Sequence, residues 1–287
     1  MSWPRLSPSS PPARDRILGL TARATGLLGV SAVVLVGLFL LKETGSLLGR
    51  VPLEALFGSE WQPSLGRYGL APILVGSVTV TLGSVLLATP LGVLLAVFLQ
   101  FHAPPSVATV LLRGLELLAG VPSVVFGFLG LTSLAPLLGQ TLLTGVLVLG
   151  LMILPTLALL AHSGLASVGS GPRLAAAALG LSVPAIAWRV IVPAARRTLT
   201  TAVLLATGRA LGETMAVLMV TGNVIDWPRS LTAPVRTLTA HVALEMSYAE
   251  GDHRAALFLS GLVLFLLAGA LVVLGARLGR AGATARG

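Results

Sequence analysis

Apolar residues in this chain fall in long uncharged runs separated by short polar segments. Ala24 to Leu41 is an uncharged run of 18 residues between Arg23 and Lys42. Tyr68 to Phe101 carries no charge, and Leu117 to Ala161 carries none over 45 residues. Thr198 to Ile225 is a 28-residue stretch whose only charges are Arg209 and Glu213, and Ala255 to Ala276 is again uncharged. Barrel strands alternate apolar and polar residues, and these runs do not. About 20 helical residues cross the hydrocarbon core of a bilayer, so the 45-residue run holds two spans joined by a turn near Ala135-Pro136 and Gly139. The pattern predicts an all-α polytopic membrane protein with spans at about 24–41, 70–101, 117–137, 141–162, 198–222 and 255–276. The first run is long for a signal-peptide core and no A-x-A site follows, so it reads as a retained span. Residues 1–23, rich in Pro, Ser and Arg, read as a disordered tail, 163–197 as a loop and 277–287 as a short tail.

Composition sharpens this. The chain is 55% hydrophobic and 10% charged with mean hydropathy +0.95, far from the quarter of charged residues usual in soluble domains. The net charge of +9 does not point to nucleic acid, because the Arg residues are scattered at span ends. They read instead as topology signals. With both termini inside, inner segments hold twelve Arg and outer loops six Lys or Arg, Arg209 lying within a span. The expectation is therefore a multi-pass membrane protein with both termini cytoplasmic. The chain has no Cys, which excludes disulfides and thiolate chemistry. Four dispersed His without Cys do not form a metal motif. The only Lys is Lys42 in an outer loop, so no Walker A site is present and this chain does not hydrolyse ATP.

Arg209 is the main candidate for chemistry. A charge near the middle of a span costs roughly 2.5–3.5 kcal/mol even on lenient insertion scales. Glu213 lies four residues on, hence on the same face of a continuous helix. The pair reads either as a structural ion pair or as a site where an anion meets a guanidinium. Thr79 and Thr81 are further candidates for the path, although span hydroxyls usually bond back to their own helix. Gly208 and Gly212 form a small-xxx-small pair suited to close helix packing. In the loop, RLAAAALGLSVPAIAWRVIVPAA predicts two short helices around a turn, with Gly180 ending the first and Ser182 capping the second. Leu231, Val235, Leu238 and Val242 recur at helical spacing in the last outer loop. They predict a short amphipathic helix on the membrane face bearing Arg236, His241 and Glu245. Its two readings are a solvated face and a gate or docking surface.

The spacing Ala175-Ala176, Gly180, Val190-x-Val192-Pro193 resembles the EAA loop of ABC-importer permeases, which docks on the ATP-hydrolysing subunit. The chain departs from it at Leu174, where the family has an acid. LELLAGVPSVVFGFLG (115–130), GRALGETMAVLMVTGN (208–223) and RTLTAHVALEM (236–246) are similar to the PstC-type permease of bacterial phosphate importers. The resemblance covers about residues 68–275. It implies the type I importer (MetI-like) permease fold, with Arg209 and Glu213 as the charged pair of phosphate passage and Ala175, Ala176, Gly180 and Pro193 as ATPase-coupling residues. It further implies a heterodimer with a PstA-type sister, two PstB-type ATPases binding ATP and Mg, and a periplasmic PstS-type phosphate-binding protein. No cofactor falls to this chain. The rival readings are a PstA-type sister, a sulfate or molybdate permease, a proton-coupled secondary transporter with Glu213 as carrier, and a membrane-embedded enzyme or scaffold.

Overall fold

The computed structural model describes residues 13–280, and the expected tail before Ala13 and the last seven residues lie outside it. Helix α1 spans Ala13–Leu48, beginning well before the expected start at Ala24 and running past Lys42. Its apolar window is the least buried of the long helices, and it packs against the last one. A short helix α2 (Leu53–Leu56) follows, then a hairpin of β1 (Trp61–Gln62) and β2 (Arg67–Tyr68), with Trp61 opposite Tyr68. Helix α3 (Ala71–Phe101) and helix α6 (Leu142–Ala166) form the centre of the bundle.

Between them the expected third span is not one helix. The chain forms α4 (Pro105–Gly120) and α5 (Ser123–Leu138), bent by 94° at the Val121-Pro122 break. Pro has no N–H and disfavours helix in the residue before it, so Val121 adopts φ −65°, ψ 131° and the first helix stops. Residues 117–120 therefore belong to the crosswise helix. Ala135 and Pro136 stay helical, and the turn into α6 is made at Gly139, φ 75°.

After α6 come α7 (Gly171–Ala178) and α8 (Val183–Ala194), the two helices expected in the loop. Gly180 sits between them at φ 77°, but Ser182 makes no side-chain cap bond. Helix α9 (Arg196–Leu211) then turns by 71° from α8. The expected fifth span is broken as well: α9 ends at Leu211, Gly212 to Thr214 are non-helical in part, and α10 covers Met215–Val220. Helices α11 (Leu238–Glu245) and α12 (Gly251–Arg280) complete the chain. Among the described residues four helices are long and apolar enough to cross a membrane, and up to six spans result if each bent pair counts as one.

Apolar clusters mark the two ends. Leu70, Ile73 and Leu238 pack where α3 begins, while Ala96, Val97, Ala176, Ala187 and Ile191 pack where it ends. The main core lies between, joining α3, α6, α9 and α10 through Val85, Leu149, Ile153, Ala206 and Val217. Close approach of α3 and α6 depends on Gly83, where a Cβ would lie 2.7 Å from Val146 Cγ2. At Gly76 a Cβ would lie 2.5 Å from the carbonyl oxygen of Arg236, which is backbone and has little room to yield. Gly76→Ala is expected to destabilise the fold by about 1–3 kcal/mol through this overpacking. Gly114→Ala, with open space around its Cβ, should leave the thermal midpoint in detergent unchanged or raised. Equal midpoints for the two variants would contradict the packing.

Candidate functional site

Arg209 lies in the last turn of α9, and its Nη1 donates to Thr156 Oγ1 at 3.1 Å. Thr156 is near the middle of α6, so the guanidinium sits at mid-depth of the bundle, where the sequence places it. Glu213 does not join it. Because α9 stops at Leu211, the helical four-residue register between the two is lost. Among the described residues Arg209 and Glu213 form no ion pair. Glu213 Oε1 instead accepts from the Ala216 amide at 3.1 Å, capping α10, and its carbonyl accepts from Thr239 Oγ1 at 2.7 Å. An acid at a helix start satisfies an otherwise orphan amide and suits the helix dipole.

The two threonines separate in role. Thr79 bonds back to the Val75 and Gly76 carbonyls, so its hydroxyl is spent on its own helix. Thr81 is buried and lines a small cavity with Ser77, Glu213, Thr237 and Thr239. Among the described residues, a Cβ at Gly208 would meet nothing within 4 Å, and one at Gly212 only the carbonyl oxygens of Gly208 and Arg209. With Thr201 and Leu205 the two glycines form a face along α9 that the other described residues leave exposed. Thr156 escaped the sequence reading, since nothing local distinguishes it from other span hydroxyls.

At the end where α3 begins, a polar cluster is buried under the hairpin. Glu245 accepts from Arg236 Nη1 at 2.6 Å and from Trp61 Nε1 at 2.9 Å, and pairs with His253 Nε2 at 2.9 Å. His241 Nδ1 is 3.8 Å from Glu245 Oε1 and 3.5 Å from Arg236 Nη1. Arg236 Nε also donates to the Asn223 carbonyl at 2.8 Å, tying the cluster to the exit of α10. The three residues expected on the last loop thus do meet, but on a packed helix. Leu238, Thr239, Ala240, His241 and Glu245 of α11 are all buried, which corrects the reading of a surface helix with a solvated face. Leu231 lies outside α11 in a loop, and Val235 bridges to Gly222. Trp61 packs edge-on to His241 with ring centroids 4.3 Å apart, a contact between residues 180 positions apart that no local pattern reveals.

Burial pushes His241 down to about 4, against the pull of Glu245, so its ring is neutral in the fold. Burial pulls the Glu245 carboxyl upward, yet His241, the bonds from His253 and Trp61, and Arg236 together hold it below its ordinary value. The cluster is a carboxylate fully occupied by four neighbours. It joins three segments: the hairpin through Trp61, the loop and α11 through Arg236 and His241, and the start of α12 through His253.

The family described as binding-protein-dependent transport system inner membrane component matches residues 88–279, more than half of the chain. The chain belongs to that family. A probable ABC transporter permease protein, YqgH, of Bacillus subtilis (strain 168) is 40% identical over 230 residues, covering 75% of this chain and 74% of that protein. A phosphate transport system permease protein PstC of Xylella fastidiosa (strain Temecula1 / ATCC 700964) is 31% identical over 282 residues, covering 86% and 87%. Another PstC, of Mesorhizobium japonicum, is 30% identical over 236 residues, covering 73% and 72%. The protein is a multi-pass ABC-type permease.

The expected coupling residues of this permease lie at the opposite end of the bundle from the Glu245 cluster. Ala176 is buried against Ala187 and Ile191, and Ala175, Gly180 and Pro193 are exposed. Leu174, in the place of the acid, is 66% exposed, and Leu179 is 82% exposed. At the Glu245 end the permease carries a pH-dependent element. A histidine whose folded pKa is about 4 against an ordinary 6.5 contributes stability in full above pH 6.5 and loses it as pH falls towards 4. The loss amounts to about 3 kcal/mol. His241→Phe keeps an edge-on ring beside Trp61 but removes the titrating group. The variant should therefore lose less thermal stability than the parent between pH 7 and pH 4.5 in detergent. Identical pH profiles would contradict the burial of His241.

Proposed function

We propose that the chain is the PstC-like membrane subunit of an ATP-driven phosphate importer. The observation that carries this reading is Arg209, a permanently charged guanidinium at mid-depth, held among the described residues by a single hydroxyl and by no carboxylate. Phosphate cannot enter hydrocarbon unless donors replace its water, and a guanidinium offers planar donors that stay charged. The names of the PstC relatives support phosphate as the anion, with sulfate and molybdate as the competing substrates. The exposed α9 face of Thr201, Leu205, Gly208 and Gly212 is where a PstA-type sister subunit closes the path on this reading. The positive-inside balance supports a cytoplasmic position for the α7 and α8 end, which on this reading faces two PstB-type ATPases that bind ATP and Mg. Leu174 and Leu179 then give that contact an apolar character in place of the missing acid. The Trp61 end faces the PstS-type binding protein, and Glu245 with Arg236 and His241 forms the outer gate.

Arg209→Ala, in the complex with its sister and ATPase subunits, should lower phosphate uptake in proteoliposomes by at least about tenfold. Copurification of the ATPase should not change. Undiminished uptake would contradict the anion role, and uptake of sulfate or molybdate in place of phosphate by the parent would replace the substrate. Gly180→Val forces a Cβ into a left-handed position at a cost of about 1–2 kcal/mol. It should reduce ATPase copurification or uptake, and no effect on either would refute coupling through this turn.

A further inference from the structure

Hydroxyls in the long helices mostly spend their proton on their own backbone. Ser84 donates to the Val80 carbonyl, Thr132 to Phe128, Thr207 to Val203 and Ser260 to Ala256. Thr156 does not. Its oxygen accepts from Arg209 Nη1, and among the described residues its proton has no protein acceptor. A hydroxyl has one proton and two lone pairs, so with the oxygen turned to the guanidinium the O–H is directed elsewhere. Arg209 uses one of its five N–H groups on Thr156, and no other acceptor for the rest is found among the described residues. Both side chains are partly exposed, although Pro155 beside them is buried. The Glu213 carboxylate, the nearest acid in sequence, is turned to the Ala216 amide.

We propose that Thr156 is the second hydrogen-bond donor of the oxyanion site, presenting its O–H beside the unspent Arg209 N–H groups to two oxygens of one tetrahedral anion. The proposal rests on the reading of Arg209 as the anion residue. The guanidinium polarises the hydroxyl that accepts from it, which strengthens the O–H as a donor. A neutral second donor adds contact without adding charge, so the anion is held but released, as conduction requires. Thr156 also orients Arg209, because its oxygen fixes one arm of the guanidinium.

The test compares ATP-driven uptake of radiolabelled phosphate by the reconstituted transporter carrying Thr156→Val, Thr156→Ser or Arg209→Ala. Rates are taken per membrane-inserted complex, with basal ATP hydrolysis measured alongside. Thr156→Val, which keeps the shape and removes the hydroxyl, should lower maximal uptake by about tenfold or more. Thr156→Ser should stay within about threefold of the parent. If Thr156→Val does not accumulate in the membrane, Thr156→Ala takes its place. Uptake by Thr156→Val equal to the parent, with Arg209→Ala inactive, would overturn the donor role and leave the reading of Arg209 standing. Thr156→Ser as impaired as Thr156→Val would show that the methyl packing matters and not the hydroxyl, which also overturns it. An active Arg209→Ala would instead remove the reading on which the proposal stands.

Discussion

A guanidinium at mid-depth of an apolar bundle must be hydrogen-bonded and must reach either water or a counter-charge. That constraint explains most of what is unusual around Arg209. The helix that carries it ends two residues later, the hydroxyl of Thr156 accepts from it, and one face of α9 is left uncovered by the other described residues. Packing elsewhere is of the ordinary kind for membrane helices, with glycines letting α3 and α6 approach and apolar side chains filling the seam.

The chain break between α9 and α10 links the middle of the bundle to one of its ends. Glu213 sits in that break and caps α10, while its carbonyl accepts from Thr239 of α11. At the far end of α10 the Asn223 carbonyl accepts from Arg236, which in turn holds Glu245. Glu245 gathers Trp61 from the first loop and His253 from the start of α12. Hydrogen bonds at both ends of α10 therefore link the hairpin, through α10 itself, to Glu213.

The spans were legible because uncharged runs of that length have few alternatives, and the two loop helices were legible from Ala content and Gly180. Two breaks were not. The expected span at about 117–137 ran straight through Val121 and Pro122, where the residues before the break form a separate helix at 94°. The Arg209–Glu213 pairing failed because it assumed an unbroken helix through Gly212. Burial of α11 was hidden because His241 and Glu245 read as a polar face until Trp61 and His253, distant in sequence, are seen to cover them. Thr156 carried no signal, since the choice between bonding back and accepting from an Arg is made by tertiary placement.

The absence of Cys from the chain allows a direct probe of the central claim, that the surroundings of Arg209 form an anion-accessible path and not a sealed core. A single cysteine at position 156, in the assembled transporter, reports on this through its reactivity. The account requires fast labelling by a sulfonate-bearing methanethiosulfonate, faster than by its cationic counterpart and slowed by added phosphate. Labelling only by an apolar, membrane-permeant maleimide, indifferent to phosphate, would show the site to be enclosed by hydrocarbon and would contradict the account.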